Sequence, residues 1–133
     1  AVVGAGTMGV DVAIVLARGG SQVTLVEPSS IRRDAVTQHV QTNLEAMGLG
    51  HRSSLVSCVS NLDEVKWSGV TMVVECVPEN LPVKQALFAE LVERADQATV
   101  LASNSSSFPI SAIAQGLPTA ERMLGLHFFM PAQ

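Results

Sequence analysis

Apolar residues along this chain come in short β-branched runs separated by stretches with helical spacing. Ala1–Val3 reads as the stub of a first strand, and Thr7–Arg18 as a helix stopped by Gly19 and Gly20. Gln22–Val26 is a second strand closing on Glu27-Pro28. A long helix is predicted over Ser29–Met47, capped by Ser29 or Ser30, with Gly48 beyond its end. Leu55–Val59 and Val70–Cys76 read as the third and fourth strands. Leu81–Ala95 is an amphipathic helix with Leu81, Ala86, Leu87, Leu91 and Val92 directed inward. Val100–Ala102 and Met123–Phe128 complete the strands, with a short helix near Ile110–Gln115 between them. Strands alternating with helices imply βαβ units and a mainly parallel sheet. The expected architecture is a doubly wound α/β domain with strand order 3-2-1-4-5-6.

Composition agrees with a sheet covered on both faces. The 133 residues are 47% hydrophobic and 15% charged, enough for one domain with buried strands. A net charge of −4, with lysine only at positions 66 and 84, speaks against a nucleic-acid partner. Asp11 and Arg18 interrupt the most apolar stretch, so no membrane span is expected. Cys58 and Cys76 lie inside apolar runs without metal-ligand spacing. They read as buried free thiols, with no metal site expected and a reducing, cytoplasmic compartment. Both ends of the chain read as cut from a longer protein.

GAGTMG, residues 4–9, follows a strand and opens a helix. In that context Gly4 permits the tight turn, Gly6 lets backbone approach a pyrophosphate, and Gly9 allows close helix–strand packing. The amides around Ala5, Thr7 and Met8 then face the phosphates at the positive end of the helix. Glu27, at the end of the second strand, is placed to accept from the ribose hydroxyls and to repel a 2′-phosphate. These features predict NAD in preference to NADP.

Three polar clusters fall at the carboxyl ends of successive strands: VVECVPEN (73–80), ASNSSSFPI (102–110) and LGLHFFMPA (124–132). Ligands bind at that edge in doubly wound sheets. Taken alone, His127 reads either as a working acid–base group or as a core histidine. Ser105–Ser107 either cap a helix near Pro109 or serve the site. Glu79 either caps the helix from Leu81 or lines the crevice, and Lys84 is either a solvated helix lysine or part of it.

GAGTMG, ECVPENLPVKQALFAEL, ASNSSS and GLHFFMPAQ together resemble the NAD-binding domain of the L-3-hydroxyacyl-CoA dehydrogenases, over nearly the whole chain. L-gulonate and L-carnitine dehydrogenases share that superfamily. The resemblance implies a Rossmann-type domain whose partner, an all-helical C-terminal domain that forms a homodimer, is absent from this chain. It implies NAD-dependent oxidation of a 3-hydroxyacyl-CoA, as in fatty-acid β-oxidation. The alternatives are a small non-CoA hydroxy acid as substrate, or a non-catalytic NAD-binding protein. His127 matches the family's acid–base histidine. Ser106 matches the serine that bonds the substrate oxygen and approaches the cofactor. Glu79 and Lys84 match positions on the nicotinamide-ribose side, and Asn104, counted with the same cofactor set, helps shape the loop. Met130 stands where the family usually carries asparagine. Between Gln38 and Gly50, His39 alone offers a cation where acyl-CoA members carry lysines. Isolated from the residues that orient the histidine, the chain is expected to bind NAD with little turnover.

Overall fold

A computed structural model describes residues 1–129. The strands are β1 (Val2–Val3), β2 (Val23–Val26), β3 (Val56–Val59), β4 (Met72–Glu75), β5 (Val100–Ser103) and β6 (Met123–Gly125). The helices are α1 (Thr7–Arg18), α2 (Ser30–Ala46), α3 (Leu81–Arg94) and α4 (Ile110–Ile113). The strands form one parallel sheet in the order β3-β2-β1-β4-β5-β6, the doubly wound order expected from the sequence. The order reverses between β1 and β4, which opens the crevice at their carboxyl ends.

Alternation along each strand divides the interior into two cores. Val2, Leu25 and Val74 face one side with Val12, Ile14, Val36, Val40 and Leu44 from α1 and α2. Val3, Val26, Val73 and Leu101 face the other with Phe88 and Leu91 of α3 and Ile113 of α4. Successive side chains on a strand point to opposite faces, so each parallel strand needs apolar residues at every position. That requirement produces the continuous runs seen in the sequence.

Helix ends follow their local chemistry. The Ser29 hydroxyl accepts from the Arg32 amide at the start of α2, and the Asn80 side chain accepts from the Val83 amide at the start of α3. Gly48 ends α2 with φ +72°, a left-handed conformation that disfavours any residue with a Cβ. Glu79 is therefore not the cap of α3, because Asn80 fills that place.

The inward stripe of α3 differs from expectation. Ala86 is exposed, while Lys84, Phe88 and Leu91 are the buried residues. Lysine is almost never buried without a partner, so sequence patterning assigns it to the solvent face. Here it has a partner in the core. The last strand is also shorter than expected, Met123–Gly125 rather than Met123–Phe128. Beyond it the Leu126 amide still donates to the Ser103 carbonyl at 2.8 Å, which carries the chain along β5 towards His127.

Candidate functional site

The glycine turn is shaped by what its glycines exclude. Gly4 has φ +100°, and a Cβ there would lie 2.7 Å from the Cys76 carbonyl oxygen. A Cβ on Gly9 would lie 1.8 Å from the Gly4 carbonyl oxygen, so only glycine lets α1 start this close to β1. Gly6 is different: a Cβ there meets nothing within 4 Å. Its missing side chain serves no packing need of the protein and leaves open space before the first turn of α1. Gly6 is also the helix N-cap and offers no capping side chain. The amides of that turn remain available to an anion. This turn fits a pyrophosphate, with Ala5, Thr7 and Met8 supplying backbone around the space.

Glu27 follows β2 and is 5% exposed. Its amide donates to the Val59 carbonyl at 2.9 Å, and its Oε1 accepts from the Ser29 amide at 2.9 Å. The Arg32 guanidinium lies 3.9 Å from Oε2. Arg33 donates to the carbonyls of Glu27 and Pro28, both at 2.7 Å, and so fixes the backbone that carries the carboxylate. A groove of about 460 Å³ runs between the turn and α2, lined by residues including Gly6, Thr7, Asp11, Arg32 and His39. A larger cavity of about 830 Å³ lies at the amino ends of the strands, bordered by Val23, Ser57, Lys66 and Met72. It is at the wrong edge of the sheet for the chemistry of either cluster.

The second cluster joins β4, β5 and α3. Glu75 is fully buried and Lys84 is 1% exposed. Lys84 Nζ lies 2.6 Å from Glu75 Oε1, donates to the Val77 carbonyl at 3.2 Å, and is 3.5 Å from Glu79 Oε1. Glu75 Oε1 also accepts from the Val77 amide at 2.7 Å, and Oε2 accepts from the Ser103 hydroxyl at 2.6 Å. The Ser105 hydroxyl donates to Glu79 Oε2 at 2.8 Å and accepts from the Phe108 amide at 2.9 Å. Burial of two opposite charges costs desolvation, which here is offset by a short contact and by bonds to the remaining carboxylate lone pairs. Beside this pair Cys76 packs behind the glycine turn. Burial, and next the Glu75 charge, push its thiol up to about 12, with Lys84 opposing. Both cysteines are free and half-buried.

Asn104 links this cluster to the histidine. Its amide donates to the Glu75 carbonyl at 2.9 Å, and its Oδ1 accepts from the Phe128 amide at 2.7 Å. His127 is thus tethered beside the β5 loop. It is exposed, and its ring lies 4.3 Å from that of Phe129, so it is not a core histidine. Ser106 is exposed on the same loop, while Ser105 turns inward to Glu79. Ser105 stabilises its own turn rather than capping α4, whose N-cap is Pro109 without a side-chain bond.

The structure brings Glu79, Asn104, Ser106 and His127 to one edge of the sheet, with Gly4, Gly6, Gly9 and Glu27 further along it. Lys84, open in sequence between a solvated helix lysine and a part of the crevice, is buried, and its Nζ lies 3.5 Å from Glu79 Oε1 at the crevice. Met130 lies outside the described residues. Glu75 and Ser103 are members of the cluster that sequence reasoning missed. The available signal was Glu75 itself, a carboxylate inside an otherwise apolar strand.

Comparison with known proteins gives the same picture. Residues 1–133 match the model of the 3-hydroxyacyl-CoA dehydrogenase NAD binding domain. A 3-hydroxybutyryl-CoA dehydrogenase of Mycobacterium tuberculosis is 38% identical over 98% of this chain and 48% of its own length. A 5-formyl-3-hydroxy-2-methylpyridine 4-carboxylate 5-dehydrogenase of Mesorhizobium japonicum is 35% identical over 98% of this chain and 44% of its own. The crystal structure of 3-hydroxybutyryl-CoA dehydrogenase from Escherichia coli K12 superposes with a TM-score of 0.90 at 33% identity, covering 98% of this chain and 30% of that one. The chain spans less than half the length of these relatives. Among the described residues no helix is long and apolar enough to cross a membrane. With its glycine turn, its acid after β2 and its match along the full sequence, this chain belongs to the NAD-binding domain family of the 3-hydroxyacyl-CoA dehydrogenases, and its cofactor is NAD.

Proposed function

We propose that the protein carrying this chain is an NAD-dependent dehydrogenase that oxidises the hydroxyl of a 3-hydroxyacyl-CoA, or reduces the 3-keto thioester, as in fatty-acid β-oxidation. The observation that carries this reading is the tether from Asn104 to Phe128, which brings His127 to the loop bearing Ser106. Proton removal and oxyanion stabilisation require two such groups at one carbon.

When bound, NAD supplies the acceptor for the hydride that leaves the carbinol carbon. The turn from Gly4 to Gly9 holds its pyrophosphate by backbone, and Glu27 accepts from its ribose hydroxyls. Glu79 and Asn104 border the far side of the crevice, and Met130 belongs to the same proposed cofactor set. His127 takes the hydroxyl proton on a ring nitrogen as the O–H bond breaks, and returns it in the reverse direction. Ser106 donates to the substrate oxygen as negative charge builds there. The helical domain and homodimer implied by the family lie outside this chain and belong to the same proposal, as does a cytoplasmic location.

A second reading is a dehydrogenase of a small non-CoA hydroxy acid. The 35% identical Mesorhizobium relative, whose name specifies a pyridine carboxylate, favours it. The stretch from Gln38 to Gly50, with His39 as its one possible cation, favours it too. NADH formation by the full-length protein with 3-hydroxybutyryl-CoA, L-gulonate and L-carnitine ranks the substrates. The CoA thioester is expected to turn over fastest, and His127→Ala to lower kcat by roughly 100-fold or more. Near-normal turnover by that variant would refute the assignment of His127.

A further inference from the structure

We propose that Glu75 is a positioning residue: its buried carboxylate, acting through Lys84 and Ser103, sets the places of Glu79 and Ser106 at the mouth of the site. The kinetic consequence rests on the dehydrogenase reading above.

Four hydrogen bonds and one ion-pair contact close into a ring. Glu75 Oε1 receives Lys84 at 2.6 Å, and Lys84 faces Glu79 Oε1 at 3.5 Å. Glu79 Oε2 accepts from the Ser105 hydroxyl at 2.8 Å. The Ser105 amide donates to Ser103 Oγ at 3.2 Å, and the Ser103 hydroxyl returns to Glu75 Oε2 at 2.6 Å. The ring spans β4, α3, β5 and the β5 loop. Half of it is sealed from water, and Glu79, with its side chain 40% exposed, forms the open rim.

Ser106 has no place in the ring but is bracketed by it. The amide of the preceding residue is held by Ser103 Oγ, and the Ser107 amide by Ser105 Oγ at 3.3 Å. A buried ion pair is a weak source of net stability and can often be replaced by apolar groups. A pair whose contacts lead through Ser103 to the Ser105 amide and through Lys84 to Glu79 has a different use. It converts the rigidity of the sheet into a fixed position for a loop hydroxyl and a carboxylate. With Glu75 neutralised, Glu79 becomes the only carboxylate in the ring facing the Lys84 ammonium. Glu79 is then drawn inward and away from Ser105, and the Ser106 loop loses one anchor.

The test uses the full-length protein as wild type, Glu75→Gln, and Glu75→Gln combined with Lys84→Met. The double variant removes the ammonium that the single variant leaves without its buried carboxylate, so it separates positioning from folding. Amide hydrogen exchange reads the loop without any substrate. In both variants exchange at Ser105, Ser107 and Phe108 is expected to rise roughly fivefold or more, with Leu25 and Val26 in β2 unchanged. With the preferred hydroxy substrate, kcat is expected to fall about tenfold or more, while NADH affinity stays within about twofold of wild type. Unchanged loop exchange in both variants overturns the proposal. So does a double variant that recovers wild-type kcat, since the ring would then serve folding alone. A wild type without turnover on any hydroxy substrate, whose variants nevertheless exchange faster at the loop, overturns the dehydrogenase reading and supports the ring.

Discussion

The glycine turn after β1 and the charged ring between β4, β5 and α3 share one edge of the sheet but are built in opposite ways. The turn works by omission: two glycines prevent backbone collisions and a third leaves open space. All of its parts lie within residues 4–9. The ring works by addition, with carboxylates, an ammonium and hydroxyls drawn from residues 75–84 and 103–105. A site made of backbone tolerates almost any neighbour but almost no side chain. A site made of side chains depends on each partner being matched by another. The turn should therefore fail through volume, and the ring through unpaired charge.

The largest effect is expected at Gly9. Gly9→Ala places a Cβ on the Gly4 carbonyl, where only backbone can yield, and should cost more than about 4 kcal/mol in urea unfolding. Gly6→Ala is the contrasting change in the same turn. Gly6 has ordinary extended angles (φ −68°, ψ 179°) and open space, so stability should stay within about 0.5 kcal/mol. Calorimetric NADH affinity should nevertheless fall about tenfold or more, because the methyl occupies the ligand's room. Comparable stability losses at the two glycines would end the distinction between them.

Next in size is Lys84→Met, which keeps the volume and leaves Glu75 buried without its cation. A loss of about 3 kcal/mol is expected, at the low end for a broken buried pair because the Val77 amide and Ser103 hydroxyl remain. A neutral result in chemical denaturation would mean that the ring contributes nothing to the fold. The smallest effect belongs to the cap that joins ring and helix. Asn80→Ala removes the bond to the Val83 amide and should lower stability by about 1 kcal/mol. Thermal unfolding would detect it. A cost equal to that of Lys84→Met would place the control of α3 in its cap rather than in the ring.

The contrast also accounts for what was readable beforehand. The strand order, the glycine turn and Glu27 follow from local periodicity and from one short motif. The rim residues Glu79, Ser106 and His127 were found as polar clusters after apolar runs. Glu75 is missed because a carboxylate at the end of a strand reads as a solvated terminus until its buried partners are known. Lys84 stays open between solvent and crevice for the complementary reason. Each charge is intelligible only with the other, and they meet because α3 packs back across β4.

The sequence by itself determined the layers, the parallel strand order and the glycine turn. Those depend on periodicity, on where chain direction changes, and on the volume of side chains close together in the chain. Only the tertiary structure decided that Lys84 is buried, that Glu75 holds it, and that Asn104 ties the segment carrying His127 to the β5 loop. Those outcomes turn on whether distant polar groups find partners before water is excluded. Hydrogen-bond partners separated by twenty or more residues leave no periodic trace.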